Sequence, residues 1–221
     1  MGNKLEGFYL AGGTALALFY LGHRESYDLD FFTKDFSKIK CEKIISEIKK
    51  ITGCGIKLVS EQLTKDKGRM LVYYIRIDKN NSLKIDFIED VYRDINSNNI
   101  FNGMPVMSKE NIYLRKIYAA CGVLSQEMSS GKKIFLGGRQ EAKDLFDLYF
   151  LSYTFMPLSK FVSKNCTPTE KESVIIWYRS FKKQEMKIGI SEIITNKKNS
   201  FQEMDKHFLK EINTMIAEEI F

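Results

Sequence analysis

The feature that most constrains this chain is a compact run between Phe8 and Phe32. Phe8-Tyr9-Leu10 is a short apolar stretch that ends at Gly12-Gly13. Thr14 to Leu21 is then almost wholly apolar and closes at Gly22, the pattern of an apolar helix with a glycine C-cap. Tyr27 to Phe32 alternates acids with aromatic or aliphatic residues, which reads as a strand. Strand, glycine turn, helix and strand in such a short span cannot stand alone. Its two strands need sheet neighbours, so the first half of the chain must build a sheet with helices around it.

The sequence supplies those neighbours. Ser37 to Ile51 places Ile44, Ile45, Ile48 and Ile51 at helical spacing, with Gly53 just past the end. Strand-like runs follow at 56–63, 70–77 and 83–88, and Asp78-Lys79-Asn80-Asn81 is turn chemistry that predicts a hairpin between the last two. The pattern changes near Pro105, after which the chain reads as helical. Ser108 caps a helix through Ile112, Tyr113, Ile117 and Tyr118 to Val123, and a second helix runs from Gln140 to Tyr153 behind Gly137-Gly138. Thr167-Pro168-Thr169-Glu170 and Ser200-Phe201-Gln202-Glu203 are capping boxes opening two more. The expected class is therefore α/β (α+β): a small mixed or antiparallel sheet with helices over residues 1–105, then a helical half over 106–221.

Several functional classes are excluded or disfavoured. Hydrophobic residues make up 44% of the 221, enough for a real core and too many for an intrinsically disordered chain. No stretch approaches the roughly 20 consecutive apolar residues of a membrane span, and the polar first residues do not resemble a signal peptide, so a cytoplasmic protein without membrane contact is expected. Cys41, Cys54, Cys121 and Cys166 form no C-x-x-C pair, and the histidines are His23 and His207 alone; free thiols are expected rather than zinc ligands or disulfides. His23 suits a helix-end role and His207 a surface position. The net charge of +6 is compatible with an anionic partner but is carried mostly by lysines and establishes none.

One constellation could carry chemistry. Glycines opening a helix let backbone N–H groups approach an anion, and the helix dipole favours phosphate there. Asp28 and Asp30, two apart on a strand, direct both carboxylates to one face, where they are the hard oxygen ligands that Mg²⁺ prefers. On the strand Leu83 to Ile88, alternation puts Asp86 on one face with Lys84 and Ile88. Asp86 then needs a metal or a cation; beside the Asp28 strand it would complete a three-carboxylate centre for phosphoryl transfer. Each piece alone has a plainer reading. Gly-Gly is most often a turn, Asp-x-Asp a solvated strand face, Arg24 a surface cation, and Lys116 a solvated helical lysine. Asp144 and Asp147 are i, i+3 neighbours on an apolar helix and want partners, for which motif logic makes Lys116 and Arg139 the nearest candidates. Tyr113, Tyr118, Phe146 and Tyr149 could stack on a base, though aromatic residues at helical spacing more often form core.

Leu10-Ala11-Gly12-Gly13-Thr14-Ala15-Leu16-Ala17-Leu18 with Gly22-His23-Arg24-Glu25-Ser26-Tyr27-Asp28-Leu29-Asp30-Phe31-Phe32 resembles the AbiEii/AbiGii family of nucleotidyltransferase-like toxins, within the polymerase-beta-type nucleotidyltransferase superfamily. Lys84-Ile85-Asp86-Phe87, Leu114-Arg115-Lys116-Ile117-Tyr118-Ala119 and Lys143-Asp144-Leu145-Phe146-Asp147-Leu148-Tyr149 resemble its later motifs. The resemblance implies a phosphate-binding turn at Gly12, Gly13 and Thr14 and metal ligation by Asp28, Asp30 and Asp86. It implies support of the phosphates and loop by Arg24 and Ser26, contact of Lys116 with the triphosphate, and a nucleotide-side, partly structural role for Asp144 and Asp147. The chain departs from the family where Lys143 stands in place of a frequent arginine, which keeps the charge and loses the bidentate fork.

The implied activity is a Mg²⁺- or Mn²⁺-dependent transfer of a nucleoside monophosphate from a nucleoside triphosphate to an acceptor hydroxyl, with pyrophosphate leaving. The implied acceptor is RNA, at the 3′ end of tRNA, and the implied setting a toxin–antitoxin or phage-defence pair with an antitoxin partner. The helical half would complete the nucleotide site and hold the acceptor. The alternatives are a small-molecule (antibiotic) or protein nucleotidyltransferase, and a non-catalytic nucleotide- or RNA-binding protein.

Overall fold

The computed structural model describes residues 5–64, 68–122, 124–127, 133–136, 138–139, 141–197 and 200–218. Val123, Gly137 and Gln140, which figured in the expected helix ends, lie outside them. The chain forms two compact units, Met1–Ile112 and Tyr113–Phe221.

The first unit is built on a seven-stranded mixed sheet. Its strands are β1 (Tyr9–Ala11), β2 (Leu29–Thr33), β3 (Ile56–Gln62), β4 (Met70–Arg76), β5 (Ser82–Glu89), β6 (Asn99–Phe101) and β7 (Met104–Val106), in the order β3-β4-β5-β2-β1-β7-β6. β4 and β5 are the expected antiparallel hairpin. The Asp78 carboxylate accepts from the backbone N–H of Asn80 and of Asn81, both at 2.8 Å, the local bonding that makes Asp-rich loops turn. β5 continues the sheet by pairing in parallel with β2. A ring cluster of Phe8, Phe31, Tyr73 and Phe87 forms the core beside these strands, with Phe87 meeting each of the other three.

Helix α1 (Gly12–Ala15) leaves β1 directly and continues as a π-helical turn, Leu16–Leu21. The expected helix is thus present, but its second half is wound wider than an α-helix. Gly22 closes it in the left-handed region at φ 54°. Helix α2 (Lys38–Thr52) begins where Ser37 accepts from the Lys40 N–H and stops at Gly53, φ 67°. β2 starts at Leu29 rather than Tyr27, so Asp28 belongs to the loop that enters the strand.

Among the described residues, the second unit is helical apart from one hairpin, β8 (Leu124–Glu127) with β9 (Lys133–Leu136), which the helical reading of this half did not anticipate. Helix α3 (Lys109–Cys121) contains the division between the units. It is followed by α4 (Ala142–Thr154), α5 (Leu158–Asn165), α6 (Pro168–Ser180), α7 (Lys183–Ser191) and α8 (Phe201–Ala217). The Thr167 capping box is formed in both directions: Thr167 Oγ1 accepts from Glu170 N, and Glu170 Oε2 accepts from Thr167 N at 2.7 Å.

The N-terminus of α5 has no side-chain cap of its own and is finished from elsewhere in the unit. Leu158 N–H donates to Ser152 Oγ at 2.9 Å, and Ser159 N–H to Glu211 Oε2 at 2.9 Å. Gly189 on α7 lies over Ala142 on α4 so closely that a Cβ there would stand 2.5 Å from the alanine methyl.

Tyr113, Tyr118 and Phe146 are buried, which makes them core rather than free stacking platforms. Tyr149 is half-buried against Tyr153 and His207. His207, expected at the surface, is half-buried: Ser152 Oγ lies 2.7 Å from its Nε2, and burial pulls its pKa down. None of the four cysteines is in a disulfide.

Candidate active site

The first unit gathers its site around the two glycines. Gly12 has φ 67°, a backbone state that disfavours any side chain. There is also no room for one, because a Cβ on Gly12 would overlap Asp30 Oδ2 and stand 3.2 Å from Asp30 Cγ. A Cβ on Gly13 would overlap the tip of Arg24 and lie 3.0 Å from its Cζ and 3.2 Å from Ser26 Oγ. The absence of two Cβ atoms is therefore what lets a carboxylate, a guanidinium and a hydroxyl close over the start of α1. Thr14 ties the arrangement together: its Oγ1 lies 2.9 Å from Ser26 Oγ and also donates to the Asp28 carbonyl. Arg24 Nη1 donates to Glu25 O at 2.9 Å.

Asp30 and Asp86 are direct partners across the parallel β2–β5 pair. Asp28 is exposed, Asp30 intermediate and Asp86 6% exposed. The cation that Asp86 required comes from its own strand: Lys84 Nζ sits 2.5 Å from Asp86 Oδ2. Burial alone would lower the Lys84 pKa, but the hydrogen bond and charge of Asp86, aided by Asp28 and Asp30, outweigh it and raise the ammonium. The other Asp86 oxygen, Oδ1, is buried and has no hydrogen-bond partner. Sequence reasoning put Lys84 on the right face without assigning it a partner; the signal was the i, i+2 spacing to Asp86 on one strand. Among the described residues, no group of three His, Cys, Asp or Glu side chains is placed to hold a metal ion.

Gly12, Gly13, Thr14, Arg24, Ser26, Asp28, Asp30 and Asp86 thus all fall in the first unit. Lys116, Asp144 and Asp147 fall in the second, where they form one buried ion cluster. Lys116 Nζ lies 2.7 Å from Asp144 Oδ1 and 2.7 Å from Asp147 Oδ2, and Arg139 Nε reaches Asp144 Oδ2 at 2.6 Å. Lys116 is 5% exposed and both aspartates are fully buried, so the solvated reading of Lys116 does not hold. Burial opposes the charge on Asp144, yet Lys116 and Arg139 together hold its carboxyl below the usual aspartate range. Burial likewise opposes the charge on Lys116, and Asp147 and Asp144 raise its pKa in spite of it. Lys143, the departure from the family pattern, is exposed and pairs with Glu141 at 3.2 Å.

Comparison with known proteins points the same way. The profile of the family described as "Nucleotidyl transferase AbiEii toxin, Type IV TA system" matches residues 2–167. The crystal structure of JHP933 from Helicobacter pylori is similar with a TM-score of 0.56 at 19% identity, covering 97% of this chain and 87% of that one. A candidate nucleotidyltransferase from H. pylori is similar with a TM-score of 0.59 at 20% identity, covering 99% of this chain and 92% of that one. Both likenesses are of fold. No curated protein is significantly similar. Among the described residues, no helix is long and apolar enough to cross a membrane.

Proposed function

We infer the reaction from family membership: the chain belongs to the AbiEii nucleotidyl transferase toxin family of type IV toxin–antitoxin systems, and its activity is nucleotidyl transfer. The substrate is a nucleoside triphosphate, and a nucleoside monophosphate passes to an acceptor hydroxyl with release of pyrophosphate. The reaction depends on Mg²⁺ or Mn²⁺, and the acceptor is an RNA 3′ end, that of tRNA being the first to test. The observation that carries the reading is the closure of Asp30, Arg24 and Ser26 over Gly12 and Gly13.

Asp28 and Asp30 are oxygen ligands of the kind a divalent cation takes, although among the described residues no three such groups already stand around one point. Asp28 and Asp30 would hold the cation, and the buried, unpartnered Oδ1 of Asp86 is the kind of oxygen that a cation satisfies. Bound there, the ion supplies charge neutralisation at the phosphates. The backbone N–H groups at the start of α1 receive phosphate oxygens, and the helix dipole favours their charge. Arg24, over Gly13, adds a cationic fork to the same place. Ser26 and Thr14 hold the loop that carries Asp28. Lys116, Asp144 and Asp147 support the second unit, where two buried carboxylates hold the Lys116 ammonium. An antitoxin protein is the expected cellular counterpart.

The test is label transfer from each of the four α-labelled nucleoside triphosphates to total cellular RNA with Mg²⁺, using Asp30→Asn as control. Label on a tRNA-sized band that is lost in the control bears the reading out. Pyrophosphate release without labelled RNA moves the acceptor to a protein or small molecule. Nucleotide binding with no pyrophosphate release overturns the catalytic reading.

A further inference from the structure

The two carboxylate oxygens of Asp86 have opposite fates. Oδ2 takes the Lys84 ammonium at 2.5 Å, while Oδ1 is buried with no hydrogen-bond partner. Lys84 reaches Asp86 from two residues back on β5, with its side chain 31% exposed. Asp30 stands in register beside Asp86, and Asp28 enters the same strand as Asp30. Carboxylates gathered in this way repel one another, and the repulsion is strongest where they are least hydrated. A cation must offset it whether or not a metal is bound.

We propose that Lys84 is a positioning residue: its ammonium is a standing counter-ion for the acid cluster, and by holding Asp86 through Oδ2 alone it presents Oδ1 to a divalent cation. The proposal rests on the metal-dependent reading above. Lysine suits the role better than arginine because an ammonium is a point charge that engages one oxygen, whereas a guanidinium fork engages both oxygens of a carboxylate. Lys84 thus does two things to metal binding. It keeps the site assembled without metal, and its positive charge weakens the first cation's binding.

Mn²⁺ binding to the full chain, followed by the EPR signal of the free ion and by the Mn²⁺-induced rise in Tm, tests this without reference to turnover. Asp30→Asn supplies the background from other sites. Lys84→Met is expected to bind Mn²⁺ about tenfold more tightly than wild type, to melt lower without metal, and to show a larger Mn²⁺-induced rise in Tm. Lys84→Arg keeps the charge but occupies both Asp86 oxygens, so its Mn²⁺ affinity is expected to fall about tenfold with little change in metal-free Tm. This second variant decides the matter if Lys84→Met does not fold. Wild-type Mn²⁺ affinity in either folded variant overturns the role of Lys84 and leaves the metal-dependent reading standing. No Mn²⁺ bound by wild type above the Asp30→Asn background overturns that reading and this proposal together.

Discussion

Asp30 on β2 and Asp86 on β5 stand side by side in register across a parallel strand pair, although 56 positions separate them in the sequence. Asp30 also lies against Gly12, so one carboxylate links the sheet's acid pair to the start of α1. Replacing Asp30 with Asn changes the charge and almost no volume. Transfer is expected to fall by about 100-fold or more, the loss typical of removing one electrostatic contributor to a phosphoryl-transfer site. Tm is expected to stay within a few degrees of wild type. Full activity in the folded variant overturns the assignment of Asp30.

Gly12→Ala and Gly13→Ala should differ in kind. At Gly12 an alanine must adopt φ near 67° and displace Asp30, so both stability and transfer should drop, the former by about 1–2 kcal/mol from the backbone alone. At Gly13 the methyl meets the far end of Arg24, which can swing away. Stability should then change little, while KM for the nucleoside triphosphate rises about tenfold as the guanidinium is displaced. Urea melts and steady-state kinetics of both variants separate these outcomes.

Removing the lysine at the centre of the buried ion cluster leaves Asp147 and Asp144 short of their shared cation. Lys116→Met is expected to cost about 3–5 kcal/mol of stability, because an uncompensated buried charge is left behind. The triple change Lys116→Met, Asp144→Asn, Asp147→Asn should recover much of that loss. If it does not, electrostatic compensation is not what holds the cluster together.

The same cluster sets a pH dependence. Despite burial, Lys116 and Arg139 keep the Asp144 pKa below the ordinary 3.8. Its contribution is therefore present above about pH 4 and is lost as pH falls through the depressed value. Lys116 has a pKa raised above 10.5, so its contribution is complete below that pH and is lost only as pH rises beyond it. Tm measured from pH 2.5 to 5 should fall more steeply for wild type than for Asp144→Asn. Parallel curves would show that Asp144 does not carry the acid limb.

The sequence by itself determined what depends on neighbours a few residues apart. The Gly53 and Gly22 helix ends, the Thr167 capping box, the Asp78 turn and the shared face of Asp144 and Asp147 follow from local backbone chemistry. All of them stand in the structure as read. The pairing of both aspartates with Lys116, and of Asp144 with Arg139, agrees with the expectation that two acids on an apolar helix require cations, for which the order of the motifs offered Lys116 and Arg139. Tertiary structure decided the rest. Nothing local in β5 says that it lies parallel to β2 rather than at a sheet edge; that follows from which apolar faces Phe31, Phe87 and Phe8 can bury together. The hairpin of β8 and β9 was not legible because each strand is only four residues long, too short a run for alternation to stand out. His207 read as exposed because periodicity places a residue on a helix face without saying what packs there, and the Ser152 hydroxyl does. Lys84 could be seen to share a strand face with Asp86, but only the burial of that face turned the pair into a contact that leaves one oxygen unpartnered.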